Sequence, residues 1–373
     1  QIEELHGSDA AVDRLAGPRK GADWTIDADG TGTVAATSFT DFDHLTGGAK
    51  GDDTFIVTPK GGETPDAPLQ LGLDGGGGKH DGVIVQASFL GRAAFTTTGK
   101  NAGTIEVDGM AIGHANMTHI NLLAADAQAP TVADYTYTAG SDASITVGTS
   151  STDPTQLTVT GDGSGTNSFA IPTASLTILA PGDYSAVTLN AMTLPAFDLT
   201  VQSGSTGVNL EPLVEDITNT ITVSAGSVID TVGNGGTGGD ITFEAAKIEV
   251  QSDAAIYARK TGAAGDITFH ASNLREATGF ITDQITSNVL ARNASISIDG
   301  AIISGGNVDI RAEAGDRSLD NTVSDYAQGA PRGSSRSSRT SRAWSASRCR
   351  SSTRRVPPTS TSAMRPSTAA ATS

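Results

Sequence analysis

Apolar and polar residues alternate along most of the chain in runs of three to five residues. Examples are Trp24–Ile26, Thr54–Val57, Gly82–Val85, Thr104–Val107, Ser144–Val147, Leu157–Thr160, Leu176–Leu179 and Asp198–Val201. The pattern continues through Thr220–Val223, Asp240–Phe243, Lys247–Val250, Asp266–Phe269, Ser295–Ile298 and Asn307–Ile310. A period of two places one set of side chains on a buried face and the other in solvent. Clusters of Gly, Asp, Asn and Ser between most runs supply turns. The pattern predicts an all-β chain, with a weak helical stretch only near Asn121–Gln128.

Internal repetition narrows the architecture. Gly239–Phe243 (GDITF) recurs identically as Gly265–Phe269, with a weaker echo at Gly306–Ile310, and Ile221 precedes Ile241 by twenty residues. Repeats of this length suit one coil of a solenoid, each coil burying its Ile, Val and Phe on those of the next and aligning Thr on Thr. The expectation is a right-handed parallel β-helix or β-solenoid, with stacked β-sandwich modules as the alternative. The chain divides on this reading into a β-repeat segment over 1–125, a short-strand segment with sandwich character over 126–216, a β-helix over 217–330, and a tail over 331–373.

A second repeat opens the chain. Leu5-His-Gly7 with Asp13, Leu45-Thr-Gly47 with Asp53, and Leu73-Asp-Gly75 with Asp81 share the pattern Leu-x-Gly, five residues, Asp, one residue, then an apolar residue. The second and third copies, Gly48–Ile56 and Gly76–Ile84, approach the nonapeptide G-G-x-G-x-D-x-U-x, in which glycines expose carbonyl oxygens and the Asp supplies a hard anionic oxygen to calcium. Asp53 and Asp81 are therefore the candidate metal ligands and calcium the candidate cofactor. Ala49 and Lys79 stand where the consensus has Gly, and the first copy lacks most of the glycines. The other reading is that Gly and Asp simply make turns between strands.

Composition changes this picture in two places. The 41 acidic residues all precede residue 331, while nine Arg and no acid occupy 331–373, so the formal charge of −17 averages an acidic body with a basic tail. An acidic body has no broad basic face for nucleic acid or anionic lipid. Cys349, the one cysteine, lies in the tail, which excludes disulfides, Cys-zinc sites and a Cys nucleophile from the body. No apolar run has the roughly 18–20 residues of a membrane helix, so no transmembrane segment is expected. The start at Gln1, without a leader, suggests a segment of a longer open reading frame.

Other chemistry is sparse. The histidines at 6, 44, 80, 114, 119 and 270 form no H-E-x-x-H motif, and no Walker loop, dinucleotide fingerprint or G-x-S-x-G elbow is present. Gly233–Gly239 lacks the Lys-Ser/Thr of a phosphate loop and reads as a turn. Acid pairs such as Asp52/Asp53 and Glu211/Glu215 leave open a carbohydrate-active enzyme, a polysaccharide hydrolase or lyase, which needs two carboxylates across a cleft.

The opening residues Asp13–Pro18, Ala22–Ile26, Gly30–Val34, Phe39–Phe42 and Leu45–Gly48 with Asp53–Val57 resemble a module of very large bacterial secreted repeat proteins, the haemolysin-type calcium-binding and filamentous-haemagglutinin-like exoproteins. Leu73–Gly78 and Gly103–Gly109 fit the same pattern, and 217–310 is similar to the β-helical stretches of such proteins. The resemblance implies an extracellular or cell-surface, structural or adhesive role without enzymatic activity. Its partners would be a host-cell, matrix or polysaccharide surface, and calcium would stiffen the solenoid through Asp53 and Asp81.

From Pro331 the strand pattern stops, and 13 Ser and nine Arg fill 43 residues. A disordered basic arm, a flexible linker and an out-of-frame translation of a GC-rich gene are the three readings. The abrupt loss of every acid favours the third.

Overall fold

The computed structural model describes residues 4–8, 12–59, 70–87, 89–108, 110–123, 131–161, 163, 165–193, 198–204, 219–231, 239–258, 265–273, 294–304 and 307–314. The predicted tail, Cys349, Glu211, Glu215 and Gly233–Gly238 lie outside the described residues. Within them the protein is all-β, and no helix is long and apolar enough to cross a membrane. Asn121–Leu123, in the stretch with weak helical character, belongs instead to the strand His119–Leu123. It is held there by parallel pairing to Gly82–Gln86 on one side and Thr166–Ala170 on the other.

Three sheets of 14, 12 and four strands take up the chain. The first runs from Glu4–His6 to Ser295–Ile298 and the second from Arg14–Ala16 to Val308–Ala314. The third contains Met192–Thr193, Val228–Asp230, Ala255–Ala258 and Ala301–Ser304. Successive visits to a sheet add strands in parallel. From Ala186 onward the chain visits first, third and second sheet in unvarying order.

Alternation places the inward positions of neighbouring strands in register, which generates the core. Trp24, Phe55, Val83 and Ile120 form one row of the first sheet, and Ile26, Val57, Val85 and Leu122 the next. All eight are buried. Farther along, Leu199, Ile241 and Ile267 lie beside Val201, Phe243 and Phe269 in the second sheet. Ile229, Ile256 and Ile302 align in the third. The GDITF copies therefore occupy adjacent strands, joined Ile241 to Ile267 and Phe243 to Phe269. Ile221 belongs to the first sheet, where it pairs with Ile248, so its spacing from Ile241 is not a coil repeat.

The antiparallel ladders among the described residues lie inside three meanders, Asp23–Thr40, Phe89–Ala115 and Ser144–Ala170. In each, the chain enters the sheet two places ahead, folds back through two hairpins, and ends beside the strand laid down before it. One two-residue hairpin joins Val34 to Thr37 through Ala35 and Ala36, whose φ values of 47° and 62° are left-handed. Paired left-handed residues make a type I′ turn, which suits the twist of a hairpin but is disfavoured for alanine. The sheets continue across residues 125 and 216, since Phe89–Gly99 pairs with Thr131–Thr138 and Ala186–Leu189 with Thr220–Val223.

Candidate functional site

The Leu-x-Gly-x5-Asp units are corners between sheets. In the second and third copies the Leu strand lies in the second sheet and the chain crosses to the first, so Leu45 stacks directly on Leu73. In the first copy Leu5 lies in the first sheet and the chain crosses the other way, and Leu15 takes the place beside Leu45. The motif thus records one local device used at two different corners.

That device is a contact between the Gly and the Asp. A β-carbon on Gly47 would lie 2.6 Å from Asp53 Oδ2; on Gly75, 2.9 Å from Asp81 Oδ2; and on Gly7, 3.2 Å from Asp13 Oδ2. At Gly47 and Gly75 the carboxylate shares the space of a side chain with a backbone oxygen of Gly75 and of Asn116, respectively, and at Gly7 the backbone oxygen of Asp41 fills it, so only glycine fits six positions before each Asp. From there the carboxylate accepts backbone N–H groups of its own corner. Ser8 N–H donates to Asp13 Oδ2, and Gly48 N–H donates to Asp53 Oδ2 at 2.6 Å. Asp53 and Asp81 also reach back to the preceding turn, as does Asp43, which stands outside the motif. Asp43 Oδ2 accepts Asp13 N–H at 2.9 Å, Asp53 Oδ1 accepts Ala22 N–H at 2.9 Å, and Asp81 Oδ1 accepts Asp53 N–H at 2.7 Å. Trp24 Nε1–H adds a bond to Asp53 Oδ1 at 3.2 Å.

Asp53 and Asp81 are 0% and 1% exposed, so these bonds hold charge away from water. Burial raises the Asp81 pKa above the ordinary carboxylate value; the Asp53 N–H opposes this, and the charges of Asp53 and Asp52 add to the rise. Asp52, next in sequence to Asp53, is exposed, and its carboxyl is held below the usual range by N–H groups of Lys79 and His80. The pair therefore does not face a common cleft as glycoside hydrolysis requires.

Calcium is bound by a shell of roughly six to eight oxygens. The Asp53 oxygens instead point at three N–H groups, and Asp81 accepts N–H from Asp53 and Gly78. Hydrogen donors in that space repel a cation, and the residues as arranged do not fit calcium. No group of three or more His, Cys, Asp or Glu set to hold a metal occurs among the described residues.

A second aspartate series, not singled out by spacing, lies along the outer face of the second sheet. Asp198 Oδ1 accepts Asp240 N–H at 2.9 Å, Asp240 Oδ1 accepts Asp266 N–H at 2.8 Å, and Asp266 Oδ1 accepts Asn307 N–H at 2.7 Å. These side chains reach forward to the next strand, and Asp198 and Asp240 are exposed. The Asp inside each GDITF copy was the available signal. Beside it, Thr136, Thr177, Thr200, Thr242 and Thr268 form an unbroken threonine row.

One buried group stands apart. His114 is 5% exposed and stacks on Phe95 at 5.6 Å, and neither ring nitrogen has a hydrogen-bond partner among the described residues. Burial lowers its pKa from 6.5 to about 4. Compared with known proteins, the chain matches no family model, no curated protein and no solved structure.

Proposed function

We propose that this chain is a structural or adhesive segment of a larger extracellular or cell-surface repeat protein, folded as a parallel β-solenoid. The observation that carries this reading is the recurrent order first, third, second sheet after Ala186, with each return adding one parallel strand in register. A stack of that kind presents long faces of repeated hydroxyls and carboxylates, such as the threonine row and the Asp198–Asp240–Asp266 series, a form suited to display and multipoint contact. Its partners on this reading are host-cell, matrix or polysaccharide surfaces, approached by an acidic body through hydrogen bonding rather than through a basic patch. The corners are closed by carboxylates, so stiffness does not depend on calcium.

Two measurements on the full chain test it. With strands about 4.8 Å apart, 14 strands give a stack roughly 60 Å long. Electron microscopy should therefore show narrow rods, and near-spherical particles would overturn the solenoid. Saturable retention on immobilised polysaccharide, matrix protein or cell surface is expected, and no retention on any of them would overturn adhesion.

A further inference from the structure

We propose that His80 and His119 form a surface site for a divalent transition-metal ion of the copper, nickel or zinc type. His80 lies in the corner just before Gly82–Gln86, and His119 opens the adjacent parallel strand His119–Leu123. Gly82 pairs directly with His119 and carries no side chain, which leaves room above it for both rings. The rings are exposed, with centroids 6.0 Å apart and planes inclined at 44°. Two imidazoles sharing an ion at about 2.0 Å from each nitrogen place their centroids roughly 5 to 6 Å apart. The observed separation is already at that span.

Both residues are held from behind. The backbone N–H of His80 donates to Asp52 Oδ1 at 3.1 Å, which fixes the turn, and the His119 ring is held through Nδ1 by Thr118 Oγ1 at 2.8 Å, which leaves His119 Nε2 to face an ion. A hydrogen bond to the second ring nitrogen is the usual way a metal-binding imidazole is oriented. The exposed Asp52 carboxylate supplies negative charge beside the pair, with Lys79 as the opposing cation at the same turn. Imidazole selects copper, nickel and zinc over calcium and magnesium. Two protein ligands leave the remaining coordination positions to water, so the ion is exchangeable and open to a ligand from another molecule.

The test is titration of the untagged full chain with Cu(II), followed by electron paramagnetic resonance and calorimetry, in parallel with His80→Gln, His119→Gln and, as a control, His6→Gln. One copper per chain with a two-nitrogen signature is expected, its affinity falling at least about tenfold in either site variant and unchanged in the control. Melting temperatures without metal confirm that the variants fold. Copper binding that is no tighter in the wild type than in the double variant, or a signature unchanged by both substitutions, overturns the site.

Discussion

The two aspartate series use one bond in opposite settings. At the corners before residue 82, Asp53 and Asp81 are sealed from water, and their carboxylates reach back to the strand already laid down. Along the second sheet, Asp198 and Asp240 lie in solvent and reach forward to the strand that follows. A carboxylate-to-amide bond is strong in either place, but only the buried one leaves stranded donors when removed. The difference extends to the core. Among the described residues the buried titratable side chains are Asp53, Asp81, His114, Tyr135 and Tyr137, all before residue 140, whereas the later rows are aliphatic and phenylalanine. The first part of the molecule thus buries ionisable groups, whereas the polar side chains buried in the later part, among them Asn167, Ser185, Ser203, Asn219 and Thr231, are uncharged.

The largest expected effect breaks this contrast directly. Asp53→Ala strands the N–H groups of Ala22, Gly48 and Trp24 and should cost about 3 kcal/mol or more. Asp240→Ala, on the exposed row, should cost about 0.5 kcal/mol or less. Denaturant melts of the two variants measure both, and equal losses would erase the distinction. Millimolar calcium or a chelator should leave the wild-type midpoint unchanged.

Acid sharpens the comparison next. The fold favours neutral His114, with a pKa of about 4 against 6.5 unfolded, so its contribution is complete above pH 6.5 and is lost as pH falls toward 4. That loss is up to roughly 3 kcal/mol. Asp81 works in the opposite sense, because its raised pKa favours the protonated form in the fold and acid relieves it. His114→Leu should flatten the fall in stability between pH 7 and pH 4, and an unchanged pH profile would refute the assignment. The smallest effect is a gain. Replacing Ala35-Ala36 by Asn-Gly suits the left-handed turn and should stabilise by about 0.5–1 kcal/mol, read as a higher melting midpoint.

Strands were legible because alternation is a direct imprint of a half-buried sheet, and the identical GDITF copies marked strands that do lie side by side. The meanders were not legible. Most of their reversals carry the usual residues, as at Gly30, Asn101, Asp108 and Gly161, whereas Ala35-Ala36 does not, and a turn residue alone does not say whether the chain folds back on its strand or crosses to another sheet. The Gly–Asp spacing was correctly seen as one recurring plan, but its chemistry was hidden. A carboxylate beside glycines can cap amides or bind a cation, and only the direction of the surrounding N–H groups separates the two. Spacing also could not reveal that Leu5 and Leu45 stand in different sheets, since the motif encodes a corner rather than a wall.

The three meanders bear on the order in which the molecule assembles. Within them, sheet neighbours are also neighbours in sequence, and hairpins of this kind form in about 1–10 μs. Elsewhere a strand must wait for a partner far along the chain, 26 residues from Asp240 to Asp266 and 42 from Asp198 to Asp240. Asp23–Thr40, Phe89–Ala115 and Ser144–Ala170 are therefore the places where sheet can begin unaided. Beyond Ala170 the described chain has no such seed, and its strands must be templated one after another on an edge that already exists.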